Sequence, residues 1–144
     1  PWLFPGKILR PWQVKLDGRD LPWFTEPGTD RIMRYNPNTI ATFEHYPIVS
    51  TGGGVDGLWI TNVNAAMDQI TAWYTVRTAD KIGQLKRVNY TNSARELPLA
   101  GAAPTDIAVD ADNCAWVAAG GTNHVARWCP PYFQPTYLPM ISRW

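Results

Sequence analysis

Cysteine and histidine are scarce in this sequence, with two of each, and neither charge sign dominates: the formal net charge is +1. Each shortage excludes something. Two cysteines cannot build a multi-bridge scaffold, nor a zinc cluster made of cysteine alone. Basic residues are scattered rather than gathered on a stripe, which leaves no nucleic-acid footprint. No apolar run is long enough to span a bilayer as a helix, and the stretch around Trp2 to Phe4 is too short for a signal-peptide core. No segment keeps a helical apolar period for three turns. What is plentiful is Trp, Tyr, Val, Ile and Thr, punctuated at short intervals by Pro and Gly, and this composition favours short strands joined by turns. An all-β single domain is expected. Beginning at Pro1, the sequence is that of a processed chain or of part of a longer polypeptide.

A repeat organises the chain. Pro104-Thr-Asp-Ile-Ala-Val-Asp110 runs into Cys114-Ala-Trp116-Val-Ala, a Gly turn, Asn123-His-Val-Ala-Arg127-Trp128, and a last stretch from Gln134 to Met140. Earlier, Pro11-Trp-Gln-Val-Lys-Leu-Asp17 leads to Trp23-Phe-Thr-Glu26, then Asp30-Arg-Ile-Met-Arg-Tyr35, then Thr42 to Ile48. A less regular third copy reads Asp56-Gly-Leu-Trp59-Ile-Thr61, Asp80-Lys-Ile-Gly-Gln-Leu85 and Ala94 to Leu99, with Asn62 to Thr78 taken as an insertion. The closing prolines Pro47, Pro98 and Pro139 mark the period. Four alternating stretches per copy make an antiparallel meander with two apolar faces, and such sheets bury both faces only by stacking around an axis. The expected architecture is therefore a β-propeller with about three four-stranded blades, roughly 11–48, 54–99 and 104–140. It is either a partial ring or one completed by association. Trp23, Trp59 and Trp116 are the expected wedges between blades.

If Gly120 and Gly121 form a hairpin turn, Cys114 and Cys129 stand equidistant from its centre and face each other. A cross-strand disulfide is then geometrically reasonable, the alternative being two buried thiols in a cytosolic protein. A secreted or extracytoplasmic location is expected on the first reading. The sequon Asn89-Tyr90-Thr91 marks Asn89 as a glycosylation candidate and suits the same setting.

Trp23-Phe-Thr-Glu26 followed by Asp30-Arg-Ile-Met-Arg34, and Leu58-Trp-Ile-Thr61 followed by Asp80-Lys-Ile-Gly-Gln-Leu85, resemble the repeat of virginiamycin B lyase and its streptogramin-lyase-like relatives. Phe43-Glu-His-Tyr-Pro-Ile48 and Arg95-Glu-Leu-Pro-Leu99 are similar to that family's blade-closing strand. The resemblance implies a propeller. For members that are lyases it further implies opening of a cyclic depsipeptide by elimination, with histidines and glutamates at the centre of one face and a magnesium ion. The family's histidines lie just after the Pro that opens a blade, where this chain has Trp12 and Thr105; neither exchanges a proton near neutral pH. The middle copy shows no clear opening strand to compare.

His45 and His124 match neither of those positions and read as surface or strand-edge residues. No metal-ligand spacing, nucleophile elbow or phosphate loop is present, and Gly52-Gly-Gly54 reads as a strand connection. Asp17, Asp110 and Asp112 read as turn formers. Glu26 is the acidic residue best placed to approach the central channel, with Asn62 and Ala119 as its counterparts. Trp12, Trp73, Tyr74, Trp128 and Tyr132 are the aromatic candidates for a ligand platform, since sugars stack on exposed indoles. The sequence thus points to a protein that binds a carbohydrate or small molecule, or serves in a self-associated or larger assembly, with no catalytic residue and no cofactor. The alternative is a magnesium-dependent lyase.

Overall fold

The computed structural model describes residues 10–38, 42–64, 68–129 and 136–139. It is all-β, with three four-stranded antiparallel meanders. The first blade comprises β1 (Val14–Leu16), β2 (Pro22–Glu26), β3 (Arg31–Asn36) and β4 (Thr42–Pro47). The second comprises β5 (Val55–Asn64), β6 (Gln69–Val76), β7 (Lys81–Val88) and β8 (Thr91–Pro98), and the third β9 (Pro104–Val109), β10 (Ala115–Ala119), β11 (His124–Trp128) and β12 (Thr136–Pro139). The outermost strands end on Pro47, Pro98 and Pro139, the prolines that set the period. A proline at the end of an edge strand removes no ladder bond that the blade needs.

The middle blade departs from the expectation. The residues read as an insertion form its second strand, β6, and Trp59 lies on the opening strand, paired with Trp73. The β5–β6 hairpin is longer than its counterparts: Leu58 faces Tyr74 where Val14 faces Phe24. The extra length displaced the pattern. The equivalent second-strand indoles are therefore Trp23, Trp73 and Trp116, each paired across its hairpin with Arg34, Gln84 and Arg127 respectively.

One joint is made twice. After the second strand the chain turns through a left-handed residue, Asp30 (φ 52°) or Asp80 (φ 53°). The Asp80 carboxylate accepts the Gly101 amide at 3.1 Å and the Ala103 amide at 2.7 Å. Asp30 does the same for the amides of Gly52 and Gly54, so each carboxylate grips the linker to the next blade. Gly52 and Gly101 supply the positive φ that these linkers need. Asn123 (φ 54°) occupies the same corner of the third blade.

The cores lie between blades. Trp23, Ile32 and Tyr46 of the first blade pack on Leu58, Ile70, Ala72 and Tyr74 of the second, with Trp23 stacked on Tyr46 at 5.1 Å. Trp73 and Ile82 of the second pack on Ile107, Ala115, Val117 and Trp128 of the third, Trp73 meeting Trp128 edge-on at 5.0 Å. The first and second blades each thus have a trailing face that receives the next blade's leading face. Near the axis, Gln13 ties all three: its amide oxygen accepts the Leu58 amide at 2.8 Å and its amide nitrogen donates to Asp106 at 3.2 Å.

Cys114 and Cys129 form a disulfide, and the β10–β11 register places them as the spacing requires, with Ala115 opposite Trp128 and Ala119 opposite His124. No helix among the described residues is long and apolar enough to cross a membrane. Both facts are compatible with an extracytoplasmic setting.

Candidate functional site

The turns between second and third strands and the linkers between blades share one face, and a row of opening-strand residues meets that face near the axis. Thr25 and Thr75 fix the row. The Gln13 amide donates to the Thr25 hydroxyl at 3.0 Å, and the Gly57 amide donates to the Thr75 hydroxyl at 2.7 Å. Gln13 and Gly57 are therefore equivalent, and one residue earlier Trp12 is equivalent to Asp56. In the third blade the same place falls to Thr105. Gly57 permits this convergence: a Cβ there would lie 2.8 Å from the Cα of Asp106 and 3.1 Å from the carbonyl of Thr105.

Asp56 is the residue that sequence reasoning missed, because the opening strand carrying it was not recognised. It is 8% exposed, and its carboxylate meets the Arg77 Nε at 3.0 Å. Burial pushes its pKa up and the Arg77 charge opposes that rise, the net direction being upward. Arg77, on the turn between β6 and β7, keeps a half-exposed side chain. Trp12 is 69% exposed. With Arg10, Pro27 and Gly28 these groups line an open depression of about 370 Å³. A flat apolar surface thus sits beside a guanidinium and a carboxylate.

The remaining expected residues are distributed elsewhere. Glu26 ends β2 and is 2% exposed, and its carboxylate accepts the Thr29 hydroxyl across the following turn. Its true counterparts are Val76 and Ala119, not Asn62, so no acidic ring forms. Trp73 and Tyr74 are wholly buried and Trp128 nearly so. These three are blade packing rather than a ligand platform, because the indole and phenol areas are spent between sheets. Trp59, expected as a second-strand wedge, is instead a partly buried opening-strand residue with Lys15 over its ring at 5.2 Å. Tyr132 lies outside the described residues. Asn89 lies at an exposed turn between β7 and β8, with φ 48° followed by 64° at Tyr90. His45 is exposed on β4 and His124 opens β11; neither lines the depression.

Asp17 and Asp110 do act in turns, each accepting the amide two residues on, at 2.8 and 3.0 Å. Each also accepts the indole N–H of the tryptophan six residues later, Trp23 at 3.0 Å and Trp116 at 2.7 Å. An arginine covers each ring: Arg34 over Trp23 at 5.4 Å and Arg127 over Trp116 at 5.1 Å. Between the first two blades this motif grows into a buried ionic cluster. Arg34 meets Asp17 and Asp68 at 3.0 Å each, Arg87 pairs with Asp68, and the Arg87 guanidinium donates to the Tyr46 hydroxyl at 2.8 Å. Arg19 and Glu44 complete three cations against three anions. Such a balanced set, buried at Arg34, Asp17, Asp68 and Arg87 and open to solvent at Arg19 and Glu44, fixes the orientation of the two blades.

The resemblance implies magnesium, and the donor set does not fit it. Among the described residues no three of His, Cys, Asp or Glu converge. The single carboxylate of the depression is already held by Arg77, whereas magnesium asks for octahedral oxygen ligation. No step is derived through the ion.

No protein-family model and no curated protein matches the sequence. Solved structures do match. They include a catalytically inactive variant of virginiamycin B lyase from Staphylococcus aureus with quinupristin (TM-score 0.76, 19% identity), and selenomethionine-substituted virginiamycin B lyase from the same organism (0.74, 21%). A streptogramin B lyase gives 0.76 at 22%. In each case 96% of this chain aligns, against 43–44% of the other, so the chain spans less than half the length of those proteins. The described residues form three blades with the fold of the streptogramin lyase propellers.

Proposed function

We propose that the chain is the framework of a non-catalytic binding protein, secreted, whose ligand settles on the depression beneath Trp12. The observation that carries this reading is the exposed indole beside the Arg77–Asp56 pair on the face where turns and linkers meet. A sugar ring suits it: the ring's C–H face stacks on the indole while its hydroxyls hydrogen-bond to the guanidinium and carboxylate. Tryptophan fluorescence and thermal shift against a small glycan panel test it. A saturable response is expected, weakened about tenfold or more by Trp12→Ala. Silence from every sugar would refute it.

The lyase reading is the second, favoured by the fold likeness to virginiamycin B lyase. Incubation with a streptogramin B antibiotic and magnesium separates the two. Ring opening supports the lyase; intact antibiotic removes it.

A further inference from the structure

The second blade has a blade of this chain packed against each of its faces, yet its outer hairpin outruns both neighbours. Strand β7 has eight residues where β3 has six and β11 five. Alternate β7 side chains point toward the third blade. Of these, Ile82 and Gln84 are 2% and 4% exposed, whereas Lys86 is exposed beyond the end of the neighbouring sheet. The register sets Gln84 opposite Arg95 and Lys86 opposite Ser93, so these four side chains share one face. They line an open hollow of about 280 Å³, which shares no residue with the depression beneath Trp12.

The chemistry of its wall is one-sided. Arg95 donates through Nε and Nη2 to the Gln84 Oε1 atom at 3.1 and 2.8 Å, and its guanidinium lies over the Trp128 ring at 5.4 Å. The cation is thus held from two directions. Those bonds occupy both lone pairs of the Gln84 oxygen, and what this amide has left to give is its N–H donors. Lys86 adds an ammonium that enters no ion pair among the described residues. Ser93 adds a hydroxyl, and no carboxylate among the described residues lines the hollow. Between the first two blades, by contrast, Arg34 and Arg87 are interleaved with Asp68 and Glu44. Lys86 and Arg95 are diagonal neighbours on the ladder, and like charges so placed repel unless a negative group stands between them.

We infer that this hollow binds an oxyanion, a sulfate or phosphate group, with Lys86 and Arg95 matching its charge and Gln84 and Ser93 donating to its oxygens. An acceptor-only group with several oxygens answers donors that arrive from several directions, through charge-assisted hydrogen bonds. The volume falls just below the roughly 300–1,000 Å³ of pockets that enclose whole small molecules, which suits a single group. A free ion and an ester on a larger ligand present the same oxygens. The inference does not rest on the Trp12 reading.

Amide shifts of isotope-labelled protein, titrated with sulfate, phosphate, glucose 6-phosphate and glucose at constant ionic strength, test it. Saturable shifts confined to β7 and β8 are expected with the oxyanions and absent there with glucose; shifts near Trp12 would report on the other site. Lys86→Gln, at an exposed position, should keep the fold and weaken binding at least about tenfold. Arg31→Gln, which removes an exposed cation on β3, should leave it unchanged. Glucose 6-phosphate binding more tightly than phosphate would identify an ester as the ligand, and binding no tighter would identify the free ion. No saturation with any oxyanion, shifts spread over the chain, equal weakening by Arg31→Gln, or wild-type affinity in Lys86→Gln would each overturn the proposal.

Discussion

Truncating the same repeat position in each blade should have three different outcomes, because Val14, Leu58 and Ile107 differ in burial and the truncations differ in the number of atoms removed. Leu58 is fully buried between blades, so Leu58→Ala removes its transfer free energy and leaves a cavity that neighbouring sheets cannot close, a loss of about 3 kcal/mol. For a chain of this size that loss lowers the melting temperature by roughly 6–12 °C. Ile107→Val deletes one methyl group from the second interface and should lower stability by about 1 kcal/mol. Val14→Ala, at an exposed site, should stay within about 0.5 kcal/mol. Urea unfolding at dilute protein, with the midpoint compared at constant slope, reads all three. Equal effects at the three sites, or a neutral Leu58→Ala, would refute the claim that stacking between blades holds the fold.

Reducing the Cys114–Cys129 disulfide, which closes a 15-residue separation, should lower stability by about 3 kcal/mol, visible as a fall in melting temperature with reductant that Cys114→Ser abolishes. Acid should also weaken the fold. Burial pushes the Glu96 pKa up, but hydrogen bonds from the Ser50 hydroxyl and amide and from Lys81 outweigh it and hold the carboxyl below its ordinary 4.5. Asp68, likewise lifted by burial, is held below 3.8 by Arg87 and Arg34. Carboxyls depressed in the folded state stabilise it fully above their ordinary values and lose that contribution as pH falls through the folded ones, so stability should drop below about pH 4.5 and Glu96→Gln should flatten the drop. Asp56 has the opposite sign: with its pKa raised, its contribution is present at low pH and lost as pH rises, and Asp56→Asn should flatten that part of the profile.

Much of this architecture can be read from the residues where one local rule dominates. Asp17 and Asp110 stand six residues before Trp23 and Trp116, and those pairs are the hydrogen-bonded ones. The disulfide register follows from hairpin symmetry alone. The middle blade was illegible for a physical reason. Its first hairpin is six residues longer, Met67 rather than an Asp precedes Trp73 by six, and Trp59 one strand early imitates the pattern. Misplacing that strand hid Asp56, and with it the only carboxylate among the described residues lining the depression. Burial of Trp73, Tyr74 and Trp128 was equally out of reach, since an indole reads alike whether a neighbouring sheet covers it or not.

The left-handed corners carry one more implication. Asp30 and Asp80 each give two acceptor oxygens to a pair of linker amides, so the joints within the chain are laced by thread as well as by packing. Asn123 offers a single acceptor oxygen beside two donors of its own. Two amides arriving there would share that one oxygen, as the amides of Asp112 and Cys114 share the Asp110 Oδ1 atom.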